Sequence, residues 1–123
     1  MHKITLAIIG CGAAAKRYYC PAIRRQPGLI KGLILVDKNI ASARALRDEI
    51  GGGQICDDYH LAIDKAQGAI IAVPHFLHHK IAMDFLDAGV HVLCEKPLAE
   101  FPYQARQMVD KAISKGVSLC VNN

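Results

Sequence analysis

Three short clusters of residues carry the chemistry open to this sequence. The first is Gly10-Cys11-Gly12-Ala13-Ala14-Ala15, a G-x-G-x-x-A pattern set between an apolar run and a helical stretch. Gly10 allows a tight turn, Gly12 lets the backbone approach a pyrophosphate, and Ala15 permits close packing of helix on strand. The helix start, with Ala13 and Ala14 in its first turn, offers unpaired N–H groups and a positive dipole end to phosphates. Asp37 stands 25 residues after Gly12, closing the second apolar run, where a carboxylate can hold the hydroxyls of an adenosine ribose. The same aspartate could instead cap the next helix. A carboxylate there favours NAD, because it repels the 2′-phosphate of NADP. Lys38 could accommodate that phosphate or be an ordinary exposed lysine, so NADP stays open.

The second cluster follows Val73-Pro74, where the fourth apolar run ends and His75, Phe76, Leu77, His78 and His79 begin. His75, His78 and His79 have the i, i+3, i+4 spacing of a helical metal site. No Cys, Asp or Glu lies nearby in sequence to complete a coordination sphere, so no metal is expected and Pro74-His75 is read as the turn itself. At least one of these histidines is expected to line the crevice. The third cluster is Cys94-Glu95-Lys96-Pro97. A lysine between a carboxylate and a rigid proline can bind a reacting oxygen or pass its proton, and a cationic nicotinamide beside it would disfavour the ammonium form. Alternatively, Glu95 and Lys96 form a pair that fastens a loop.

The elements that must position these clusters are legible as apolar runs alternating with amphipathic stretches. Ile4–Ile9, Leu33–Val36, Ala69–Val73, Val90–Cys94 and Val117–Val121 are apolar without alternation, as in a parallel sheet covered on both faces. Ile55-Cys56 reads as a further short strand. Helices are expected over Ala41–Ile50 (with Ala45, Leu46 and Ile50 inward), His78–Ala88 and Pro102–Lys115, stopping at Gly51, Gly89 and Gly116. Pro21 is expected to kink or break the first helical stretch. Gly51-Gly52-Gly53 is read as a loop within one domain. The pattern implies an α/β doubly wound parallel sheet in three αβα layers, with its ligand crevice at the carboxyl ends of the strands.

The 123 residues make one domain, able to bury roughly two-thirds of the unfolded surface. Hydrophobic residues are 52% and charged residues 21%, a globular composition; Trp is absent, so the core must be aliphatic. The net charge of +4 comes from scattered basic residues, with no aromatics interleaved as stacking platforms, so no nucleic-acid partner is expected. No apolar stretch is long enough to span a bilayer, and no membrane partner is expected. The five cysteines have no C-x-x-C pair; Cys11, Cys94 and Cys120 sit in or beside apolar runs and are expected as small hydrophobes, in a reduced, cytoplasmic protein. Lys3, Ile4–Ile9 and Gly10-Cys11 superficially imitate a lipoprotein leader, but with one lysine and a minimal apolar stretch they are better used as strand and phosphate turn.

At this point the chain resembles the amino-terminal domain of the Gfo/Idh/MocA oxidoreductases over essentially all of its length. Gly10 to Ala15 matches that family's glycine motif. Pro74 through Ala88-Gly89-Val90-His91-Val92-Leu93-Cys94-Glu95-Lys96-Pro97-Leu98-Ala99 matches its most diagnostic stretch, ending in the Glu-Lys-Pro signature. The resemblance implies a Rossmann fold and an NAD(P) cofactor. It implies that Lys96 helps bind substrate and cofactor or relays a proton, that Glu95 and His78 border the nicotinamide pocket, and that the peptide before Pro97 is often cis. The family usually has Asn after the proline where this sequence has His75, which leaves the detailed nicotinamide contacts open. Family members continue into a second α/β domain, and Val121-Asn122-Asn123 resembles the crossover, so residues 1–123 are expected to be the cofactor half with the substrate and dimerisation domain missing.

The leading expectation is therefore an NAD(P)-dependent oxidoreductase moving a hydride to or from a sugar, polyol or related small molecule, with little turnover by this half alone. A non-catalytic dinucleotide sensor is the alternative, and a purely structural fragment, which would bind no cofactor, is a third. A homo-oligomer is open, since family members associate mainly through the second domain.

Overall fold

The computed structural model of the chain describes residues 3–122, so Asn123 of the expected crossover lies outside the described residues. Six strands form one parallel sheet: β1 (Ile4–Ile9), β2 (Ile30–Val36), β3 (Gln54–Cys56), β4 (Gly68–Ile71), β5 (His91–Glu95) and β6 (Leu119–Asn122). Their spatial order is β3-β2-β1-β4-β5-β6, which reverses direction between β1 and β4. A crevice opens at that switch point, at the carboxyl edge.

The sheet is buried on both faces because β1 alternates between two cores. Leu6 and Ile8 pack with Leu35, Ala43 and Leu46 on one side. Ala7 and Ile9 pack with Val36, Ile71, Phe85 and Cys94 on the other. Helix α1 (Cys20–Arg25) and α2 (Ile40–Ile50) cover the first face, while α3 (His60–Ile63), α4 (His78–Asp87) and α5 (Pro102–Lys115) cover the second. Ile9 pairs with Val36 and Ile71, and Ile71 with Cys94, so the central strands end in one row. The residues that follow each of them emerge together.

Several boundaries differ from the expected ones. β2 starts three residues earlier, at Ile30, because it pairs with the whole of β1. β4 stops at Ile71, and β5 and β6 are shifted toward their carboxyl ends. On α2 the buried residues are Ala43 and Leu46, while Ala45 and Ile50 lie half-buried at the margin. Cys120 is exposed because it lies on the edge strand β6, whereas Cys20 is buried. The short α3 had no clear sequence signal.

The disturbance expected at Pro21 takes a specific form. Proline has no N–H to donate to the carbonyl four residues back. The chain widens into a π-helical turn over Ala15–Tyr19, closed by the Cys20 N–H donating to the Ala15 carbonyl. The extra residue leaves Tyr18 outside and turns Tyr19 and Cys20 inward, 6% and 3% exposed.

Candidate cofactor crevice and lysine loop

The glycine turn is built on backbone sterics. Gly10 has φ +98°, and a Cβ there would lie 2.4 Å from the Ala72 carbonyl oxygen, so no side chain fits. Its N–H donates to the Val36 carbonyl at 2.8 Å, tying the turn to β2. Gly12 is different: a Cβ there would meet nothing within 4 Å, and the residue faces a cavity of about 650 Å³. Packing therefore explains Gly10 but not Gly12. Ala15 is fully buried against the strands, Ala14 half-buried and Ala13 exposed.

Asp37 joins the two sides of this crevice. One carboxylate oxygen accepts from the Cys11 N–H and the other from the Asn39 N–H, both at 2.9 Å. A carboxylate has about four lone-pair sites, so each oxygen can still accept a hydroxyl. Capping of α2 falls to Asn39, whose side chain accepts from the Ala41 N–H at 3.1 Å. Beside Asp37, burial first and the carboxylate second push the Cys11 thiol up to about 12. Lys38 lines the cavity, exposed and without an ion pair among the described residues.

The crevice also includes residues the sequence reading missed. Asp57, Asp58 and Tyr59 follow β3 and border it, as do Leu77 and Ile81. An Asp-Asp-Tyr run directly after a strand was the available signal. The Tyr59 hydroxyl donates to the Asp84 carboxylate on α4, and its ring stacks on His60 at 4.1 Å. The His60 N–H and ring hold the Asp58 carboxyl below the usual carboxylate range.

Val73 and Pro74 line the cavity; His75, His78 and His79 do not. His75 is exposed in a one-turn 3₁₀ segment, and His79 bonds Gln107 of α5 at 2.8 Å. His78 is 1% exposed, with Nδ1 2.8 Å from the Pro97 carbonyl oxygen and Nε2 2.9 Å from that of Val73. Glu95 is held by the Tyr19 hydroxyl, which donates to its Oε1, and by Asn122, whose Nδ2 donates to the same oxygen at 3.0 Å and to the Tyr19 oxygen at 3.1 Å. Burial, reinforced by this carboxylate, raises the Tyr19 phenol above its ordinary value. Lys96 is exposed and forms no ion pair among the described residues, so Glu95 does not pair with it; the Lys96–Pro97 peptide is cis.

The residues present fit a dinucleotide. The Gly12 opening leaves space for a diphosphate, the Asp37 carboxylate keeps free acceptor capacity, and Leu77 and Ile81 supply an apolar wall.

Comparison with known proteins agrees. The family model GFO_IDH_MocA, described as "Oxidoreductase family, NAD-binding Rossmann fold", matches residues 4–123. The D-glucoside 3-dehydrogenase of Escherichia coli strain K12 is 33% identical over 119 residues, covering 92% of this chain and 32% of the relative. The 3-ketoreductase KijD10 of Actinomadura kijaniata, solved with NADP and TDP-benzene, superposes with a TM-score of 0.88 at 28% identity, over 98% of this chain and 37% of its own. The WlbA dehydrogenase of Bordetella pertussis, solved with NADH and UDP-GlcNAcA, gives a TM-score of 0.88 at 26% identity, over 98% and 35%. The chain spans about a third of the length of the curated relatives it matches. No helix among the described residues is long and apolar enough to cross a membrane.

Proposed function

The chain belongs to the Gfo/Idh/MocA oxidoreductase family, and from that premise we propose that it is the nicotinamide-dinucleotide-binding domain of an enzyme that oxidises a hydroxyl or reduces a carbonyl on a sugar, polyol or related compound. Gly12 carries this reading. Nothing in the packing requires a glycine there, and its missing side chain opens the crevice at the switch point between β1 and β4. Gly10 and Gly12, with the helix start at Ala13–Ala15, would receive the diphosphate, and Asp37 the adenosine ribose. Three carboxylates, Asp37, Asp57 and Asp58, border the crevice against one cation, Lys38, which favours NAD over a cofactor with an added phosphate. Val73 and Pro74 form the wall toward the nicotinamide end; His75, His78 at the start of α4, Glu95 at the end of β5, and Pro97 lie around that end.

A bound nicotinamide would supply the hydride donor or acceptor. Lys96 is the one residue we assign to the reacting oxygen. Its side chain is exposed and unpaired among the described residues: the ammonium can donate a hydrogen bond or a proton to a carbonyl oxygen, and the neutral amine can take the proton of a hydroxyl. The five free cysteines support a reduced, cytoplasmic setting. Sugar-like substrates are supported by the relatives' names alone, and a second domain would supply the other wall of their site.

Paired titrations with NADH and NADPH test this reading. Reduced nicotinamide is excited at wavelengths where protein side chains do not absorb, so its fluorescence reports binding directly. Saturable NADH binding, with NADPH at least about tenfold weaker, is expected from the three carboxylates. Preference for NADPH would transfer the selective role from Asp37 to Lys38, and binding of neither would overturn the cofactor reading.

A further inference from the structure

Lys96 is exposed and unpaired among the described residues, yet both its chain neighbours are held. On one side, Glu95 is gripped by Tyr19 and Asn122, which lie 76 and 27 residues away in sequence. On the other, the Pro97 carbonyl faces Nδ1 of His78, whose second nitrogen faces the Val73 carbonyl. A long flexible side chain on a mobile loop loses much of its advantage as a proton carrier, because productive orientation must be found at each encounter. Anchoring the residues before and after it removes that search while leaving the ammonium free.

We propose that Tyr19, Asn122 and His78 form a two-sided clamp that positions Lys96: Tyr19 and Asn122 through the Glu95 carboxylate, His78 through the Pro97 carbonyl. This rests on the reading of Lys96 as the group that meets the reacting oxygen, but the clamp itself is a statement about geometry. Three separate parts of the fold supply it. The π-helical turn sets Tyr19 inward, β6 ends in register with β5 so that Asn122 pairs with Glu95, and the first residue of α4 is His78. All three are positioning residues. Tyr19 and Asn122 are assigned no contact with substrate or cofactor, and His78, 1% exposed, acts here through the Pro97 and Val73 carbonyls that its two ring nitrogens face. His78 also links the Lys96 loop to Val73, a wall of the cofactor crevice, so one side of the clamp reports the position of that wall. A neutral imidazole donates to one of its two carbonyls at a time, and a protonated ring donates to both.

The test uses the whole chain labelled with lysine carrying ¹³C at Cε, the Lys96 signal being assigned by its loss in Lys96→Arg. Tyr19→Phe removes one hydroxyl and keeps the ring, so the fold is retained. The expected result is that the Lys96 signal, single and narrow in the parent, broadens or splits in Tyr19→Phe and in Asn122→Ala. Amide exchange at Glu95, Lys96 and Leu98 speeds by about fivefold, the factor set by one lost hydrogen bond. Glu95→Gln keeps the accepting oxygen and restores the parent signal, whereas Glu95→Ala does not. A merely structural role would lower thermal stability in every variant without this Gln/Ala distinction at Lys96. An unchanged Lys96 signal in Tyr19→Phe and Glu95→Ala overturns the clamp. NADH titration of the same samples separates the two readings: a parent that binds no NADH sinks the cofactor assignment, while the Lys96 signal still decides the clamp.

Discussion

The two ends of the strand row that make up the candidate site are built in opposite ways. At the β1–β2 end, the glycine turn is held by backbone: the Gly10 N–H on the Val36 carbonyl, the Cys11 N–H on Asp37, and a steric limit at Gly10 set by the Ala72 carbonyl. At the β5–β6 end, the lysine loop is held by side chains converging from distant segments, with Asn122 reaching Tyr19 across 103 residues. Backbone sterics act at any position with the right residue type. Side-chain convergence needs the whole sheet assembled first. The glycine end should therefore fail through strain, and the lysine end through loss of alignment.

The largest effect should come from the lysine end. In a form of the protein that turns over substrate, Lys96→Ala is expected to lower turnover by about 10²–10⁴-fold, the range for one proton-transfer group. NADH affinity should change little, because Lys96 does not line the crevice. Loss of NADH binding in this variant would erase the distinction between the two ends. NADH binding with no turnover by any sugar or polyol would favour a non-catalytic sensor.

Within the glycine turn, two substitutions of the same kind should part company. Gly10→Ala meets the Ala72 carbonyl and a left-handed φ, and should cost upward of ~2 kcal/mol of stability, read as a lowered midpoint in urea unfolding. Gly12→Ala meets nothing within 4 Å, so its unfolding midpoint should stay near the parent value while NADH affinity falls about tenfold or more. Equal loss of stability in both would show that Gly12 serves packing after all.

The smallest effect concerns thiols. Burial raises Cys11 and Cys94 to about 12, so at pH 8 very little of either is thiolate, the reactive form. Raising the pH toward 12 should speed their alkylation steadily, provided the fold persists. Cys120 on the exposed edge strand should react first, by at least about tenfold over the buried pair. Cys11 reacting as fast as Cys120 would mean that the glycine turn opens readily and is not the rigid end.

Much of this arrangement could be read in advance. The apolar runs gave the strands and their layers, and α5 occupies the expected Pro102–Lys115. Gly10 and Asp37 were recognised because a turn and a strand end have local signatures. Sequence alone leaves Asp37 open between ribose binding and helix capping, and in the structure Asn39 holds the cap. Nothing local announced that Tyr19 would meet Glu95, since that contact depends on the π-helical turn and on β1 and β5 flanking β4. Likewise His78 gave an apparent metal spacing with His75 and His79, but helix α4 buries it and leaves the others facing different surroundings. Asp57, Asp58 and Tyr59 went unread because β3 is only three residues long.

By itself the sequence determined the layers of the sheet, the glycine turn and the presence of a lysine at a strand end, because apolar periodicity, positive φ and strand termination act between near neighbours. Only the tertiary structure decided what holds that lysine loop. Its anchors come from β6, from the start of α4 and from a turn widened by Pro21, and side chains that far apart meet only after the strands are in register.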